Sequence, residues 1–420
     1  MFKSTIVRIF SALFTFLGGI LIARTLGPAD FGFYVQIIAI ITLLYNISTA
    51  GIPTFTLRES SNFSVVKDNN SLSQLSIFAI IVFSFLTILV LIAFILYSGK
   101  NEKIFPVNMQ YLSFGIIITW GVSTILDSVS RGRGFIIAGQ LSELIIRPGG
   151  FVLFFIIFFV FLSDTNVKIT LFALLSANII ALIISIIVFF KDFEIKFLAI
   201  SPNLLKLWLK GCFYNSIVEI LIKSSFPISF IIIANILGDE SLGIYRAGYQ
   251  LSLAAGIGLL AAKAVSAPKF AAAINHKSTI SLHTEYTSAI KIGILFSIPF
   301  LLIFILFPEK FIHILLGDEY YEASFSLSLL TFGIFLNAAV GPIDVLLQVK
   351  RQDKTLIICT LFRVVLYIFL VCVLAPIYDI LGVAIAHISS LVFWCLSLSL
   401  CNRLSKKIGN KTSHKSIVKN

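Results

Sequence analysis

The stretch Phe151–Leu162 reads FVLFFIIFFVFL, twelve residues with no group that water would hold. Runs of this kind recur along all 420 residues, and no long polar block separates them. With 58% hydrophobic and 12% charged residues, the chain has far more apolar side chain than a water-facing domain can bury. The segments are long enough to cross hydrocarbon, which takes roughly 20 residues of helix. Twelve are expected, at about 4–24, 35–56, 75–97, 110–128, 139–162, 168–190, 213–237, 243–264, 287–307, 324–347, 355–375 and 380–401. Helix is the default, because an isolated segment in lipid has to satisfy its own backbone. A membrane β-barrel would instead show short alternating segments.

The charges choose an orientation. The chain carries 32 Lys and Arg against 20 Asp and Glu. With the N-terminus placed in the cytoplasm, the opposite side receives only Arg24, Lys100, Lys103, Lys168 and Lys310. Five more cations fall inside spans, and all the others lie on the cytoplasmic side, including the tail from Arg403 to Lys419. The positive-inside rule therefore predicts both termini inside and an even number of spans. Outer connections are short. The longest inner one, 191–212, is Lys-rich and reads either as an interfacial amphipathic helix or as an ordinary basic linker.

The chain also repeats itself. Ala23–Tyr34 is ARTLGPADFGFY and Ala234–Tyr245 is ANILGDESLGIY, with Ala, Leu-Gly and Gly-x-Tyr in matching places. Asp127 precedes Arg133 by six positions, as Asp344 precedes Lys350, and Arg147 and Arg363 sit at matching depths. The expected architecture is an all-α membrane protein with about 12 transmembrane helices in two parallel six-helix lobes around a central cleft. The lobes would be 1–190 and 213–401, joined by the 191–212 linker and followed by a basic tail at 402–420. Duplication with this geometry puts the symmetry axis along the membrane normal. Gly18-Gly19 in the first span and Pro227 in the seventh predict a bend in each half.

Charges inside spans are costly and mark function or pairing. At 1.5 Å per residue, Lys223 lies about 15 Å into its span, and Arg147 and Arg363 about 12 Å. Lys291, Arg246, Arg24 and Arg58 lie nearer span ends, where snorkelling accounts for them equally well. Asn215, Glu219, Lys223 and Pro227 recur every four residues, which makes either a hydrated stripe or a Glu219–Lys223 pair packed between helices. Glu143 and Arg147 share that spacing, whereas Arg363 has no acid four positions away and is expected to meet an anion. Glu219, Glu143, Asp127 and Asp344 are the candidate coupling acids; the two glutamates are deeper and could bind a proton or sodium, and the two aspartates are expected to pair with the basic loops. His387, alone inside a span, is expected to pack between helices. No nucleotide loop, metal cluster or hydrolytic triad is visible, so neither a cofactor nor an enzymatic role is expected.

The first helix followed by Ala23–Tyr34, with Gly51-Ile52-Pro53 and Arg58 beyond it, resembles the Wzx-type O-antigen and polysaccharide flippases of the multidrug/oligosaccharidyl-lipid/polysaccharide exporter superfamily. The resemblance implies movement of an undecaprenyl-diphosphate-linked oligosaccharide to the periplasmic leaflet of the bacterial inner membrane by alternating access. It implies membrane lipids as surroundings, a polysaccharide polymerase and chain-length regulator as partners, and no nucleic acid. Arg and Lys in a wet cleft would then host the diphosphate. A multidrug/cation antiporter of the same fold should instead place acids deep. A membrane polysaccharide polymerase should carry a large periplasmic loop that this chain lacks.

Overall fold

A computed structural model of the chain describes residues 2–98, 106–162, 166–191, 193, 196, 201–276 and 278–417. Every regular element among them is helical: α1 Phe2–Thr49, α2 Ile52–Val65, α3 Asn69–Ser98, α4 Val107–Gly132, α5 Ala138–Leu141 and, after a π turn over Ser142–Ile146, α6 Arg147–Leu162 and α7 Val167–Phe190. Then come α8 Pro202–Lys223, α9 Ser225–Leu237, α10 Asp239–Ser252, α11 Ile257–Asn275, α12 Thr279–Leu306, α13 Pro308–Leu315, α14 Ala323–Val340, α15 Ile343–Val349 and α16 Asp353–Ile417.

Nine helices among the described residues are long and apolar enough to cross a membrane. The difference from the twelve expected segments has local causes. Segment 4–24 and most of 35–56 fall on α1, which is one helix bent at Gly27 and ends at Thr49 before α2, and 355–375 and 380–401 fall on α16, bent at Asp379. Segment 213–237 is divided between α8 and α9 at Ser224. Pro227 explains that division: it lacks an N–H for the Lys223 carbonyl, and its ring would collide with it.

The bend expected at Gly18-Gly19 lies instead at Gly27. Gly18 stays helical because it serves packing: a Cβ there would come within 2.9 Å of Val152. Gly27 has φ 74° and ψ 170°, a region essentially closed to side chains, and Pro28 then starts the next arm with a φ suited to a helix. Its repeat counterpart Gly238 has φ 88° and ψ 171°, immediately before Asp239 opens α10. The sequence repeat is therefore also a repeat of one unusual backbone conformation. At the other bend, Asp379 has φ 53° and ψ −136°. It folds α16 so tightly that Gly382 abuts the Leu374 carbonyl, which a Cβ would meet at 2.1 Å.

The chain packs into two compact units, Met1–Asn235 and Ile236–Asn420. This division lies beyond the expected linker, because α8 is built into the first unit. Trp208 is buried against Phe78 and Phe63, with ring centroids 5.3 and 6.3 Å away. The Ser216 hydroxyl donates to the Ala50 carbonyl. Most of the 191–200 stretch lies outside the described residues. Around Trp208 the core of the first unit gathers Ile52, Phe55, Leu75, Phe78, Phe83 and Ile125. Arg133 ties α4 to the end of α7, donating to the carbonyls of Phe189 at 2.6 Å and Lys191 at 2.8 Å. Its cation thus sits where the α7 dipole is negative.

In the second unit Ile343, Leu347, Leu391, Trp394 and Leu398 form a core. The Tyr286 hydroxyl donates to the Val340 carbonyl at 2.6 Å, closing the end of α14. Outward faces carry large apolar residues such as Phe85, Leu96, Phe161 and Phe369, a distribution that suits lipid and not water.

Gly27→Ala and Gly238→Ala should each lower stability by about 1–3 kcal/mol, the strain of a side chain in that conformation. Gly382→Ala should cost as much or more through its clash with Leu374. Gly149→Ala, whose Cβ finds its nearest neighbour at 3.6 Å, should be neutral or slightly stabilising. Thermal unfolding of the purified variants in detergent checks the order.

Candidate functional site

Each unit holds one arginine against the face of a tryptophan. In the first unit the arginine is Arg147, at the point where the π turn gives way to α6. Pro148 explains the turn: it cannot donate to the Leu144 carbonyl and crowds it, so the backbone widens and the Arg147 N–H reaches Ser142 instead. Widening rotates Arg147 away from the position a regular helix would give it. Its guanidinium lies 5.0 Å from the Trp120 ring and donates to Ser123 Oγ at 2.9 Å. Tyr45 stacks on Trp120 at 4.4 Å, and its hydroxyl donates to Thr124 at 3.2 Å.

Arg147 is only 8% exposed, and its Nε has no hydrogen-bond acceptor. The expected Glu143–Arg147 pairing does not form. Glu143 faces Arg131 instead, 4.0 Å away, because the five-residue turn removes the i,i+4 register. A buried guanidinium with five donors, an indole face and one serine has capacity left for an anion.

In the second unit Arg363 lies 5.2 Å from the Trp394 ring, and Trp394 Nε1 donates to Thr360 Oγ1 at 3.2 Å. The groups that act on Arg363 electrostatically are Tyr249, Cys395 and Tyr367, with no carboxylate among them. Nearby, Arg246 lies 5.4 Å from the Tyr249 ring. His387 is held edge-on between Tyr249 at 5.4 Å and Tyr367 at 5.5 Å. The result is a cationic nest walled by aromatic rings. Indole and phenol faces stabilise cations, and the same faces suit flat apolar surfaces of a ligand.

The remaining candidates divide by partner. Lys223 bonds Glu219 at 2.6 Å, and Lys223 is 54% exposed. The break at Ser224 places Pro227 on the next helix, ending the expected stripe, and the Asn215 side chain lies outside the described residues. Arg58 bonds Glu59 at 3.1 Å and lies over Phe55. Arg24 and Lys291 are exposed, on α1 and α12.

The two aspartates depart from their expected loop pairings in opposite ways. Asp344 bonds Lys263 of α11 at 2.8 Å, while Lys350 donates to Asn402 at 2.7 Å. Asp127 is fully buried, with no hydrogen-bond partner for either carboxylate oxygen. Five residues before the end of α4, it faces the neighbouring helix and not the loop.

Trp120, Trp394, Tyr45, Tyr249 and Tyr367 escaped the sequence reading, which ranked charges and not what holds them. Rarity was the available signal. The chain has 41 Phe but three Trp, and two of those three carry Arg147 and Arg363.

Apolar helices and these nests define a multi-pass membrane protein. In fold it is similar to an inward-facing multidrug resistance MATE family transporter of the MOP superfamily, with a TM-score of 0.79 at 16% identity over 97% of this chain and 99% of that one. It is similar to the lipid II flippase MurJ in an inward closed conformation, with a TM-score of 0.72 at 15% identity over 96% of this chain and 88% of that one. A MATE transporter in an outward-facing conformation matches with a TM-score of 0.65 at 16% identity over 97% and 95% of the two chains. The family described as polysaccharide biosynthesis protein matches residues 1–274, and the chain belongs to it. The MatE family matches residues 216–373. No curated protein matches the chain.

Lys263→Met should destabilise by leaving Asp344 partly buried without its cation. The Lys263→Met, Asp344→Asn double variant should lose less than the sum of the single losses, with a coupling of about 1 kcal/mol. A double-mutant cycle read by thermal unfolding measures it.

Proposed function

We propose that this protein is a flippase that moves an undecaprenyl-diphosphate-linked O-antigen or polysaccharide repeat unit from the cytoplasmic to the periplasmic leaflet by alternating access. It would sit in the bacterial inner membrane with both termini in the cytoplasm, alongside a polymerase and a chain-length regulator. The observation that carries the reading is Arg363, an intramembrane guanidinium stacked on Trp394 with rings and no carboxylate around it. Arg147, its repeat counterpart, is likewise held by an indole and one hydroxyl. A diphosphate entering hydrocarbon loses its hydration, and planar five-donor cations replace it well. Arg246 beside Tyr249 adds to the same character. Family membership supports a glycan substrate, and the MurJ likeness supports a lipid-linked one.

Lys291, Arg24 and Arg58, exposed or paired at the surface, take part as basic lipid contacts in this reading. Glu219 and Glu143, bonded to or facing their own cations, serve as local counter-ions.

The MatE match over 216–373 favours a second reading, a multidrug/cation antiporter. The cation-rich interior of the second unit argues against it, because a cationic drug would meet Arg246 and Arg363 there.

Arg363→Ala should cut delivery of surface polysaccharide in a deletion strain by roughly 10- to 100-fold, the weight of one charge-assisted hydrogen bond, with membrane insertion intact. Arg147→Lys should fall well below Lys291→Ala, because a lysine has no planar fork to fill the place between Ser123 and Trp120. Lys223→Ala should be milder than Arg363→Ala, because Lys223 is itself half-exposed and already bonded to Glu219. Normal export by Arg363→Ala together with lost cationic-drug resistance would favour the antiporter.

A further inference from the structure

The bend at Asp379 divides α16 into two arms, and each arm carries a stripe that faces the other. On the first arm the stripe is Leu356, Cys359, Arg363 and Tyr367; on the second it is His387, Leu391, Trp394, Leu398 and Cys401. Steps of three and four residues keep each set on one side of its helix. The contacts follow this register outward from the bend. Tyr367 meets His387 with ring centroids 5.5 Å apart. Farther out, Arg363 lies 5.2 Å from the Trp394 ring, and Trp394 Nε1 donates to Thr360 Oγ1 at 3.2 Å. Beyond them, Cys359 shares a buried core with Leu391, Trp394 and Leu398, and Leu356 and Cys401 pack against it. There a side-chain hydrogen bond joins the Cys359 and Cys401 thiols. We propose that Cys359 and Cys401 are a redox-responsive pair that closes into a disulfide across the two arms of α16.

A disulfide needs neighbouring backbones, and the continuous seam supplies them. A second tie holds the same end of the hairpin. Asn402, next to Cys401, accepts from Lys350 at 2.7 Å, and Lys350 caps α15 just before α16 begins. The start of the first arm and the end of the second are therefore held together from outside the thiols as well.

The other cysteines are placed elsewhere. Cys212 lies in the core of the first unit, and Cys372 is exposed. Cys395 shares the core with Cys359, but its thiol donates to Asn337 Oδ1 of α14 at 3.5 Å. Among the described residues no group of three or more His, Cys, Asp and Glu is placed to hold a metal ion, so the two thiols stand as a dithiol.

Exposure assigns the roles. Cys401 is partly exposed, whereas Cys359 is buried. The oxidant is a low-molecular-weight disulfide. The Cys401 thiolate attacks one of its sulfurs, the small sulfur–sulfur bond breaks, and one small thiolate leaves with the electron pair. The Cys359 thiolate then attacks the Cys401 sulfur, forming the bridge and expelling the second small thiolate. Both cysteine protons end on the released thiols. The protein loses two electrons and the small disulfide gains them. On the proposed orientation this end of α16 lies at the cytoplasmic face, where thiols are kept reduced, so the bridge is a reversible response to oxidation and not a permanent staple. Arg363 and Trp394 lie on the same seam, and the closed bridge fixes the spacing of the arms that hold them.

The test uses the full chain, purified in detergent with its thiols reduced and then treated with hydroxyethyl disulfide. Remaining thiols are blocked with N-ethylmaleimide in denaturant, and peptides are mapped by mass spectrometry. Of the five cysteines, Cys359 and Cys401 should appear as one linked pair in a monomeric protein, and mercaptoethanol should return both to labelling. Cys359→Ser should trap Cys401 as its mercaptoethanol adduct, whereas Cys401→Ser should leave Cys359 unmodified. Cys395→Ser should form the link as the wild type does. The wild-type result decides the matter even where a variant folds poorly. Cys401 carrying the adduct without the link, a link from Cys401 to Cys395 or between two copies, or no reaction at either cysteine each overturns the proposal. None of these readouts involves glycan export, so the thiol pair and the flippase reading fail separately.

Discussion

A polar group stranded in hydrocarbon finds no substitute for water, and nearly every feature of this chain answers to that fact. Backbone groups are closed within helices, and serines and threonines return their hydroxyls to carbonyls one turn earlier, as Thr42, Ser60, Ser76 and Ser185 do. The same demand decides where charge is allowed. Arg133 finds two carbonyls at the end of α7, Lys263 finds Asp344, and Lys223 finds Glu219. The groups left over are then informative, because each is tolerated only for a reason.

Arg147 and Arg363 are two of those groups. An indole stabilises a cation by its quadrupole without neutralising it. A carboxylate in the same place would have held the arginine more firmly but cancelled its attraction for an anion. Stacking on Trp120 and Trp394 is thus a way to store positive charge inside an apolar protein while keeping it available. His387, pressed between two tyrosines, shows that the second nest is also packed as a core, with aromatic rings fixing its walls.

Much of the fold was legible because its signals are additive over many residues. Long apolar runs sum over tens of positions, and the doubled Leu-Gly motif adds the matching residues around it. The site was legible only in part. Arg147 and Arg363 stood out by depth. Their tryptophan partners come from other segments, and no spacing along the chain announces them. Glu143 and Arg147 looked like a pair because a regular helix was assumed, and one proline changed the register between them. Asp127 and Asp344 looked equivalent in sequence. Only the presence of Lys263 beside one, and the complete burial of the other, tells them apart. The expected bend at Gly18-Gly19 failed for a similar reason: glycine permits both bending and close approach, and Val152 shows which use was made of it.

The single-residue corners at Gly27, Gly238 and Asp379 leave no spare chain between the segments they join. Neighbouring rods meeting at such an elbow cannot drift independently, so tilting one must swing the next.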